Sequence, residues 1–360
     1  MDGGAYANLP DAAEGEGDAS VVDAAPGCAS LSACCSPLTG ASQGLCTTVA
    51  ASGDATNCST ELTQLQSEGD CTGVTILASQ IQVPANRIVS DGTTLFWTTS
   101  ESSPGLFAMP VHGGTITTLL SAQTANAQGG AFLAVDDVNV YVLEGYSLIR
   151  LPKNGAAATL INESGGTVTS ATALAGTAYW VEPIGNPGPS QPTAVKSAPL
   201  LGDTVTTIAT FIPKTPAVNN LGVTSSTVFV QLLDSALFDF PMSGAPASGP
   251  TPVDAAPCGA LSSDTDAVYC PATTGSNQRI ASDSTTTSLG QAVNSSFIVF
   301  DDTYIYWVDN TTVGTILKAP KAGGGTATAI ANDTSPTAIA VDATSIYWSD
   351  QEGYIKSVPK

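Results

Sequence analysis

The chain contains four tryptophans, and each directly follows an aromatic residue. Three further aromatic positions continue the same spacing without a tryptophan. The seven positions are Phe96-Trp97, Tyr141-Val142, Tyr179-Trp180, Phe229-Val230, Tyr269-Cys270, Tyr306-Trp307 and Tyr347-Trp348. Their successive separations are 45, 38, 50, 40, 37 and 41 residues. A repeat of about 40 residues with strand-like composition is typical of a β-propeller, in which each repeat forms one four-stranded blade. The repeat therefore predicts an all-β fold.

The last repeat shows how one blade is encoded. Residues 337–341 form a small apolar run that suits the crowded innermost strand, and residues 345–348 are β-branched and aromatic like a second strand. Residues 354–358 alternate as a third strand should. The preceding repeat continues with a glycine-rich hairpin turn and an outer strand at 326–331. Each repeat thus predicts four consecutive antiparallel strands.

The seventh repeat has no outer strand of its own. Residues 74–79, which precede the first inner strand, resemble the outer strands at 115–121 and 326–331. We expect residues 74–79 to complete the seventh blade, because closing the ring in this way removes free sheet edges. The prediction is a seven-bladed propeller over residues 73–360. A six-bladed ring is the alternative, since the fifth repeat lacks the usual Pro-x-x-Gly hairpin.

The fifth repeat carries a pair of cysteines. Cys258 and Cys270 are symmetric about Asp264, so a hairpin that turns at Asp264 would bring their sulfurs together. Cys270 also replaces the anchor tryptophan, which predicts a disulfide in place of the lost aromatic packing. A loop this short gains about 2–3 kcal/mol in the chain-entropy model. Two free buried thiols are the alternative.

Charge and cysteine content limit the environment and the partners. The net charge is −21 with ten basic residues, so the surface repels phosphate backbones and disfavours anionic membranes. No segment is long and apolar enough to span a membrane. Eight cysteines, an even number, indicate an oxidising compartment. Residues 1–27 do not resemble a signal peptide, which suggests a mature or truncated form of an exported protein.

Two small units precede the propeller. Residues 1–27 are acidic and lack large apolar side chains, which predicts a disordered tether. Residues 28–72 form a cysteine-rich module that needs disulfides because it is too small to bury a sufficient core. Its six cysteines are expected to pair among themselves in one of 15 connectivities. They are Cys28, Cys34, Cys35, Cys46, Cys58 and Cys71. A zinc site is the alternative, although the module has neither histidine nor CxxC. A short helix is predicted at 60–69, with Thr60 as its N-cap.

Two repeats carry a recognisable motif at the anchor. Tyr306-Trp307-Val308-Asp309 and Tyr347-Trp348-Ser349-Asp350 resemble the YWTD motif of propellers in low-density-lipoprotein-receptor-like proteins. The segments 141–144 and 179–182 are degenerate copies. Those receptors have six blades, so a seven-bladed ring departs from their pattern. The layout of tether, cysteine-rich module and propeller is similar to bacterial exported or surface-lipoprotein propellers. The resemblance implies a scaffold for protein binding in which the motif serves the fold.

An acidic residue recurs two positions after the anchor, as Glu144, Glu182, Asp309 and Asp350. The propeller fold would place these carboxylates on one face, where a ring of oxygen ligands suits calcium. The alternative is that each carboxylate accepts backbone N–H bonds and ties neighbouring blades together, which the YWTD resemblance favours. Calcium is the only cofactor that the pattern suggests.

A second acidic set lies in the turns between first and second strands, where aspartate bonds its own backbone. Its members are Asp91, Asp136, Asp137, Asp264, Asp266, Asp301, Asp302 and Asp342. The only histidine, His112, lies in a hairpin turn, so no histidine-based catalytic triad is available and no catalytic residue is assigned.

These observations favour a non-enzymatic exported or cell-surface binding protein, a monomer whose ligand is a protein or a glycan. The loop 182–194, rich in proline, and the loops 101–104 and 212–220 share one rim and are the expected partner-facing patch; a loop expansion without a function is the alternative for this patch. For the whole protein, a calcium-dependent hydrolase or lactonase resembling the gluconolactonase-type propellers is the alternative, and a purely structural envelope protein is a third hypothesis. The two hypotheses differ in whether carboxylates converge on the central channel.

Overall fold

The computed structural model describes most of the propeller and part of the N-terminal module. The described residues are 28, 31, 35, 40–68, 74–79, 81, 84–99, 105–120, 133–144, 146–162, 167–185, 192–202, 204–212, 218–247, 249–255, 257–272, 275–291, 295, 297–309, 314–333 and 335–360. The predicted tether at 1–27 lies outside them.

The described strands form seven four-stranded antiparallel sheets, which are the blades of the predicted propeller. The first three blades follow one another along the chain. Blade one contains β2 (Ala85–Ser90), β3 (Thr94–Thr99), β4 (Leu106–Pro110) and β5 (Thr117–Leu120). Blade two contains β6 (Leu133–Val135), β7 (Asn139–Glu144), β8 (Ser147–Pro152) and β9 (Thr159–Leu160). Blade three contains β10 (Ser170–Leu174), β11 (Thr177–Pro183), β12 (Thr193–Pro199) and β13 (Thr206–Phe211).

The remaining blades repeat this order, from the inner strand outwards. Blade four contains β14 (Val218–Val223), β15 (Thr227–Leu232), β16 (Leu237–Pro241) and β17 (Thr251–Val253). Blade five contains β18 (Ser262–Ser263), β19 (Ala267–Cys270), β20 (Ser276–Ala281) and β21 (Thr286–Gln291). Blade six contains β22 (Ile298–Phe300), β23 (Tyr304–Asp309), β24 (Gly314–Pro320) and β25 (Thr328–Asp333). Blade seven contains β26 (Pro336–Val341), β27 (Ser345–Asp350), β28 (Ile355–Pro359) and β1 (Thr75–Ala78).

The ring closes by mixing the two ends of the propeller, as predicted. Strand β1 pairs antiparallel with β28, with Thr75 opposite Ser357. Just after β1, the Ile81 N–H donates to the Gly353 carbonyl at 3.0 Å. Gly353 has φ 86°, and a Cβ there would lie 2.7 Å from the Ile81 carbonyl oxygen. Only glycine therefore allows this close approach of the two ends.

The hydrophobic core lies between successive blades, and the anchor tryptophans fill it. Trp97 packs against Ala338 of blade seven, and Trp307 packs against Tyr269 of blade five. Trp348 likewise packs against Tyr306 of blade six. All four tryptophans are at most 1% exposed. The repeated aromatic therefore joins each of these blades to the one before it.

The fifth repeat forms a complete blade, so the six-bladed alternative is wrong. Strand β18 is only two residues long, with Ser262 opposite Tyr269. A disulfide joins Cys258 to Cys270 at a Cα–Cα distance of 5.0 Å. Because Cys258 pairs with Ala272 across the sheet, the disulfide links the two strands diagonally. It reinforces the shortest inner strand pairing of the ring.

The N-terminal module contains two described helices, α1 (Gly40–Ala51) and α2 (Ala55–Glu68). Asp54 is the N-cap of α2, since its carboxylate accepts the N–H groups of Thr56 and Asn57 at 2.9 and 3.0 Å. The prediction that Thr60 caps this helix is wrong. Thr60 lies inside the helix and its hydroxyl donates to the Thr56 carbonyl.

Disulfides join Cys28 to Cys58 and Cys35 to Cys46. The zinc alternative fails for these four cysteines because thiolates are required as zinc ligands. Cys34 and Cys71 lie outside the described residues. Neither described helix is long and apolar enough to cross a membrane.

Candidate functional site

The inner strands enclose a central channel with a cavity of about 370 Å³. Six of the seven blades contribute to its wall, mainly through inner strands. The lining residues are 87–90, 134–135, 171–173, 261–263, 297–300 and 338–341. Most are small or apolar, as the innermost strand of a propeller requires.

The serine hydroxyls of the wall are engaged within the fold. Ser90 Oγ donates to Asp342 and accepts the Gly92 N–H, at 3.1 and 3.0 Å. Ser262 Oγ donates to the Ile298 carbonyl, and Ser263 Oγ accepts the Val223 N–H at 3.0 Å. These hydroxyls hold neighbouring inner strands together. They therefore have reduced capacity to bond a molecule in the channel.

Arg87 is the only charged residue among those that line the described channel. Strand pairing places Ile88 opposite Trp97 in blade one and Ile298 opposite Trp307 in blade six. Arg87 and Phe297 directly precede these two residues, so they occupy the same level of the channel. The Arg87 guanidinium lies 3.8 Å from the centroid of the Phe297 ring.

A small residue separates these two blades at that level. Blade seven stands between blades one and six, and it places Ala338 next to Ile339, which is opposite Trp348. Ala338 is buried in the core between blades seven and one, and its side chain is a single methyl group.

No carboxylate of the described residues forms an ion pair with Arg87. Burial lowers the pKa of the Arg87 guanidinium to about 10, because protein replaces the water that would stabilise its charge. The group remains charged at neutral pH. The channel thus holds a partly exposed cation that lies against an aromatic face and has no anionic partner among the described residues.

Sequence reasoning missed Arg87, although the repeat contains a signal for it. When the inner strands are aligned on their anchors, Ser170, Asn220 and Ala338 occupy the position of Arg87. A single basic residue among small or uncharged ones marks a blade that departs from the repeat. Arg87 is also the first basic residue of the chain.

Two of the carboxylates proposed as a calcium ring, those of Glu182 and Asp350, are bonded within the fold. Glu182 accepts hydrogen bonds from Trp180 Nε1 at 3.3 Å and from Lys196 Nζ at 2.8 Å. Lys196 lies on the neighbouring strand, opposite Trp180. The Glu182 carboxylate is therefore neutralised within its own blade by an ammonium group.

Asp350 repeats this arrangement in blade seven. Its carboxylate forms an ion pair with Lys356 Nζ at 2.8 Å and accepts the Tyr354 N–H at 2.9 Å. Lys356 also donates to Asp333 of blade six at 2.6 Å, and Asp333 accepts the Trp348 indole N–H. Burial alone would lower the pKa of Lys356, but the two carboxylates outweigh it and raise the pKa. This network ties blades six and seven together.

The other two proposed calcium ligands are Asp309 and Glu144. Asp309 is the last residue of β23, and its buried Oδ1 has no hydrogen-bond partner among the described residues. Glu144 is the last residue of β7, and its side chain lies outside the described part of the structure. None of the four proposed ligands is among the described residues that line the channel. Among the described residues, no three His, Cys, Asp or Glu side chains form a metal-binding group.

The turn aspartates form a second repeated structure at the end of the channel where first and second strands meet. Five of them accept the backbone N–H groups two and three residues later, which is the predicted turn chemistry; they are Asp91, Asp136, Asp264, Asp301 and Asp342. Four also accept a tyrosine hydroxyl five residues later, in the pairs Asp136–Tyr141, Asp264–Tyr269, Asp301–Tyr306 and Asp342–Tyr347.

Lysines from the following blade complete three of these turns. Lys321 of blade six pairs with Asp264 of blade five at 2.8 Å, and Lys360 of blade seven pairs with Asp301 of blade six at 2.7 Å. Lys153 of blade two pairs with Asp91 of blade one in the same way. We call these three pairs the blade clasps. Sequence reasoning missed them because each joins different repeats.

The pKa values of the turn residues reflect these contacts. Burial alone would raise the pKa of Asp91, but hydrogen bonds from Lys153, Thr93 and Thr94 outweigh it and lower the pKa to about 2. The pKa of Asp301 is lowered for the same reason, with Lys360 as the principal donor. Burial and its bond to Asp342 raise the pKa of Tyr347 to about 12. The turn carboxylates therefore stay ionised well below neutral pH.

The predicted partner-facing rim is described only in part. Residues 101–104, 186–191 and 213–217 lie outside the described residues. At the described ends of two of these loops, Ile184 and Ile212 are 46% and 62% exposed.

Several solved structures share this fold. The computationally designed Ika8 protein matches with a TM-score of 0.54 and 10% identity, over 79% of this chain and 99% of that chain. PorZ, a bacterial surface component of the type-IX secretion system of Porphyromonas gingivalis, matches with a TM-score of 0.52 and 11% identity, over 79% of this chain and 37% of that chain. YCF48 bound to D1 peptide matches with a TM-score of 0.53 and 10% identity, over 80% of this chain and 94% of that chain.

At these identities the likeness establishes the propeller fold alone. No protein-family model matches the chain, and no curated protein matches it. The resemblance to YWTD repeats therefore remains a prediction from the sequence.

Proposed function

We propose that the protein is a non-enzymatic binding protein that works outside the cytoplasm and holds its ligand at the central channel. The observation that carries the proposal is the channel itself. Its volume of about 370 Å³ lies within the roughly 300–1,000 Å³ typical of ligand pockets. Most of its wall residues are apolar and one is a cation, a combination that occurs in binding pockets.

The cysteines support a location outside the cytoplasm. Three disulfides in the described residues suit an oxidising environment. The fold is shared with PorZ, a bacterial surface component. In this proposal, residues 1–27 tether the cysteine-rich module and the propeller to the cell surface, as in a surface lipoprotein. The YWTD-like motif serves the fold, because its tryptophans fill the spaces between blades.

The calcium-dependent hydrolase has less support. Lys196 and Lys356 place ammonium groups against Glu182 and Asp350, so a calcium ion would have to displace both. We expect the thermal unfolding midpoint of the full chain to be the same in millimolar calcium and in EDTA. A site filled to about 100 times its dissociation constant would add roughly 2.7 kcal/mol and raise the midpoint by several degrees. Such a rise would restore the enzyme hypothesis.

Blocking the channel tests the binding proposal. Thr172 lies in the channel wall, so Thr172→Trp should fill the cavity. Thr118→Trp makes the same change on the exposed outer strand β5 and is the matched control. A panel of peptides, glycans and small organic molecules is screened by thermal shift against wild type and both variants.

We expect ligands that stabilise wild type and Thr118→Trp but have no effect on Thr172→Trp, with far-UV circular dichroism showing that both variants fold. If every stabilising ligand acts equally on Thr172→Trp, the channel is not the binding site and the proposal is wrong.

A further inference from the structure

We propose that the channel binds the carboxylate of a small aromatic or aliphatic acid, with Arg87 as the partner of that carboxylate. This inference rests on the proposed function, since it names the ligand class of the same channel. Nothing in the repeat requires an arginine at this level of the ring.

The stacking of Arg87 leaves its donors available. The guanidinium contacts Phe297 at 3.8 Å from the ring centroid, and it forms no hydrogen bond to a described residue. A guanidinium stacked by its face keeps its N–H groups directed outwards in its own plane, where they match the two oxygens of a carboxylate. Phe297 thus positions the group without using its hydrogen-bonding capacity.

The charge of Arg87 favours an anion in the channel. Arg87 is partly exposed to this confined cavity, where the lower effective dielectric strengthens the attraction between its charge and an anion. The aromatic face of Phe297 offers partial compensation. The described channel wall contains no Asp or Glu, so the missing negative charge would come from a ligand.

The rest of the wall defines the body of the ligand. Val89 and Val299 are partly exposed apolar residues of the wall, and the hydroxyls of Ser90, Ser262 and Ser263 are already bonded within the fold. A sugar would find few free serine hydroxyls here to replace its hydrogen bonds to water. An apolar body suits this wall, and the cavity limits it to a small molecule.

The net charge of the protein further narrows the class of ligand. With a net charge of −21, the protein repels polyanions over long distances. A ligand with a single carboxylate is repelled only weakly at physiological ionic strength, because salt screens the charge. The carboxylate of a free acid and the C-terminal carboxylate of a short apolar peptide share this chemistry.

The test measures binding of phenylacetate to the full chain by isothermal titration calorimetry at pH 7. Phenylacetamide is the neutral isostere and acetyl-Ala-Phe is the peptide probe. The key variant is Arg87→Met, and Arg279→Met is the matched control because Arg279 lies on β20, away from the channel wall. Arg87→Lys keeps the charge and loses the two-pronged geometry.

We expect phenylacetate to bind wild type and Arg279→Met equally. Binding should be at least tenfold weaker for phenylacetamide and for Arg87→Met, and intermediate for Arg87→Lys. Tighter binding of acetyl-Ala-Phe than of phenylacetate would identify a peptide terminus as the source of the carboxylate, and the reverse order would identify a free acid.

Equal binding of the amide and the acid, unchanged binding by Arg87→Met, or no binding of either carboxylate probe would overturn the inference. The proposed function would survive each of these results if the panel still contained ligands whose binding Thr172→Trp abolishes. If the panel contained no such ligand, both this inference and the proposed function would be wrong.

Discussion

The charged groups at the turn end of the propeller differ from the charged group inside its channel. Asp91, Asp264 and Asp301 each meet a lysine from the next blade and two backbone N–H groups. Arg87 meets an aromatic ring and no described carboxylate. The first set recurs with the repeat and the second occurs once. Recurrence therefore marks residues that build the ring, whereas Arg87 departs from the repeat, which is why we propose it as a binding residue.

The largest expected effect comes from removing a turn carboxylate. Asp301→Asn should lower the free energy of unfolding by about 1–3 kcal/mol, because the charged acceptor of Lys360, Tyr306 and two backbone N–H groups is lost. Asp302→Asn, at the exposed neighbouring position, should change it by less than about 0.5 kcal/mol. Urea unfolding measures both, and equal effects would remove the distinction between clasped and solvated aspartates.

Acid should destabilise the end of the propeller that carries the turn aspartates. The pKa values of Asp91, Asp136, Asp264, Asp301 and Asp342 are all lowered in the folded protein. A depressed carboxylate pKa stabilises the fold above the unfolded value near 3.9, and this contribution disappears as pH falls through the folded value. We expect the urea midpoint to fall between pH 4 and pH 2. Asp91→Asn should show a shallower decline, and an unchanged slope would contradict this assignment.

Arg87 should behave in the opposite way to the clasped residues. Arg87→Met removes a charge that has no ion-pair partner among the described residues and keeps an apolar side chain of similar length, so the unfolding midpoint should stay the same or rise by up to roughly a few degrees. Differential scanning calorimetry of wild type and variant measures this shift. A marked decrease would show that Arg87 holds the ring together like the turn carboxylates.

The smallest effect is expected from a single clasp lysine. Lys360→Met should lower the free energy of unfolding by about 0.2–1 kcal/mol, because the pair with Asp301 is partly exposed. Repeating the urea titration in 1 M NaCl should shrink the difference between variant and wild type, since salt screens exposed pairs. A large loss of stability that salt does not reduce would show that this clasp behaves like a buried ion pair, as in the network of Lys356.

Sequence reasoning predicted the elements that repeat. The anchor spacing predicted seven blades, and the likeness of residues 74–79 to an outer strand predicted the closure with β28. The turn aspartates were also recognised, since their hydrogen bonds reach only two or three residues along the chain. The cap of α2 was assigned to Thr60 instead of Asp54, because several polar residues in this stretch can serve as caps.

The sequence by itself determined the number of blades, the order of their strands and the positions of their turns. These depend on contacts within one repeat, and such contacts recur with its period. Only the tertiary structure decided which charges meet between blades. Lys356 of blade seven reaches Asp333 of blade six, and Arg87 of blade one reaches Phe297 next to the inner strand of blade six. These contacts depend on the curvature of the closed ring, which brings together residues that are distant in sequence.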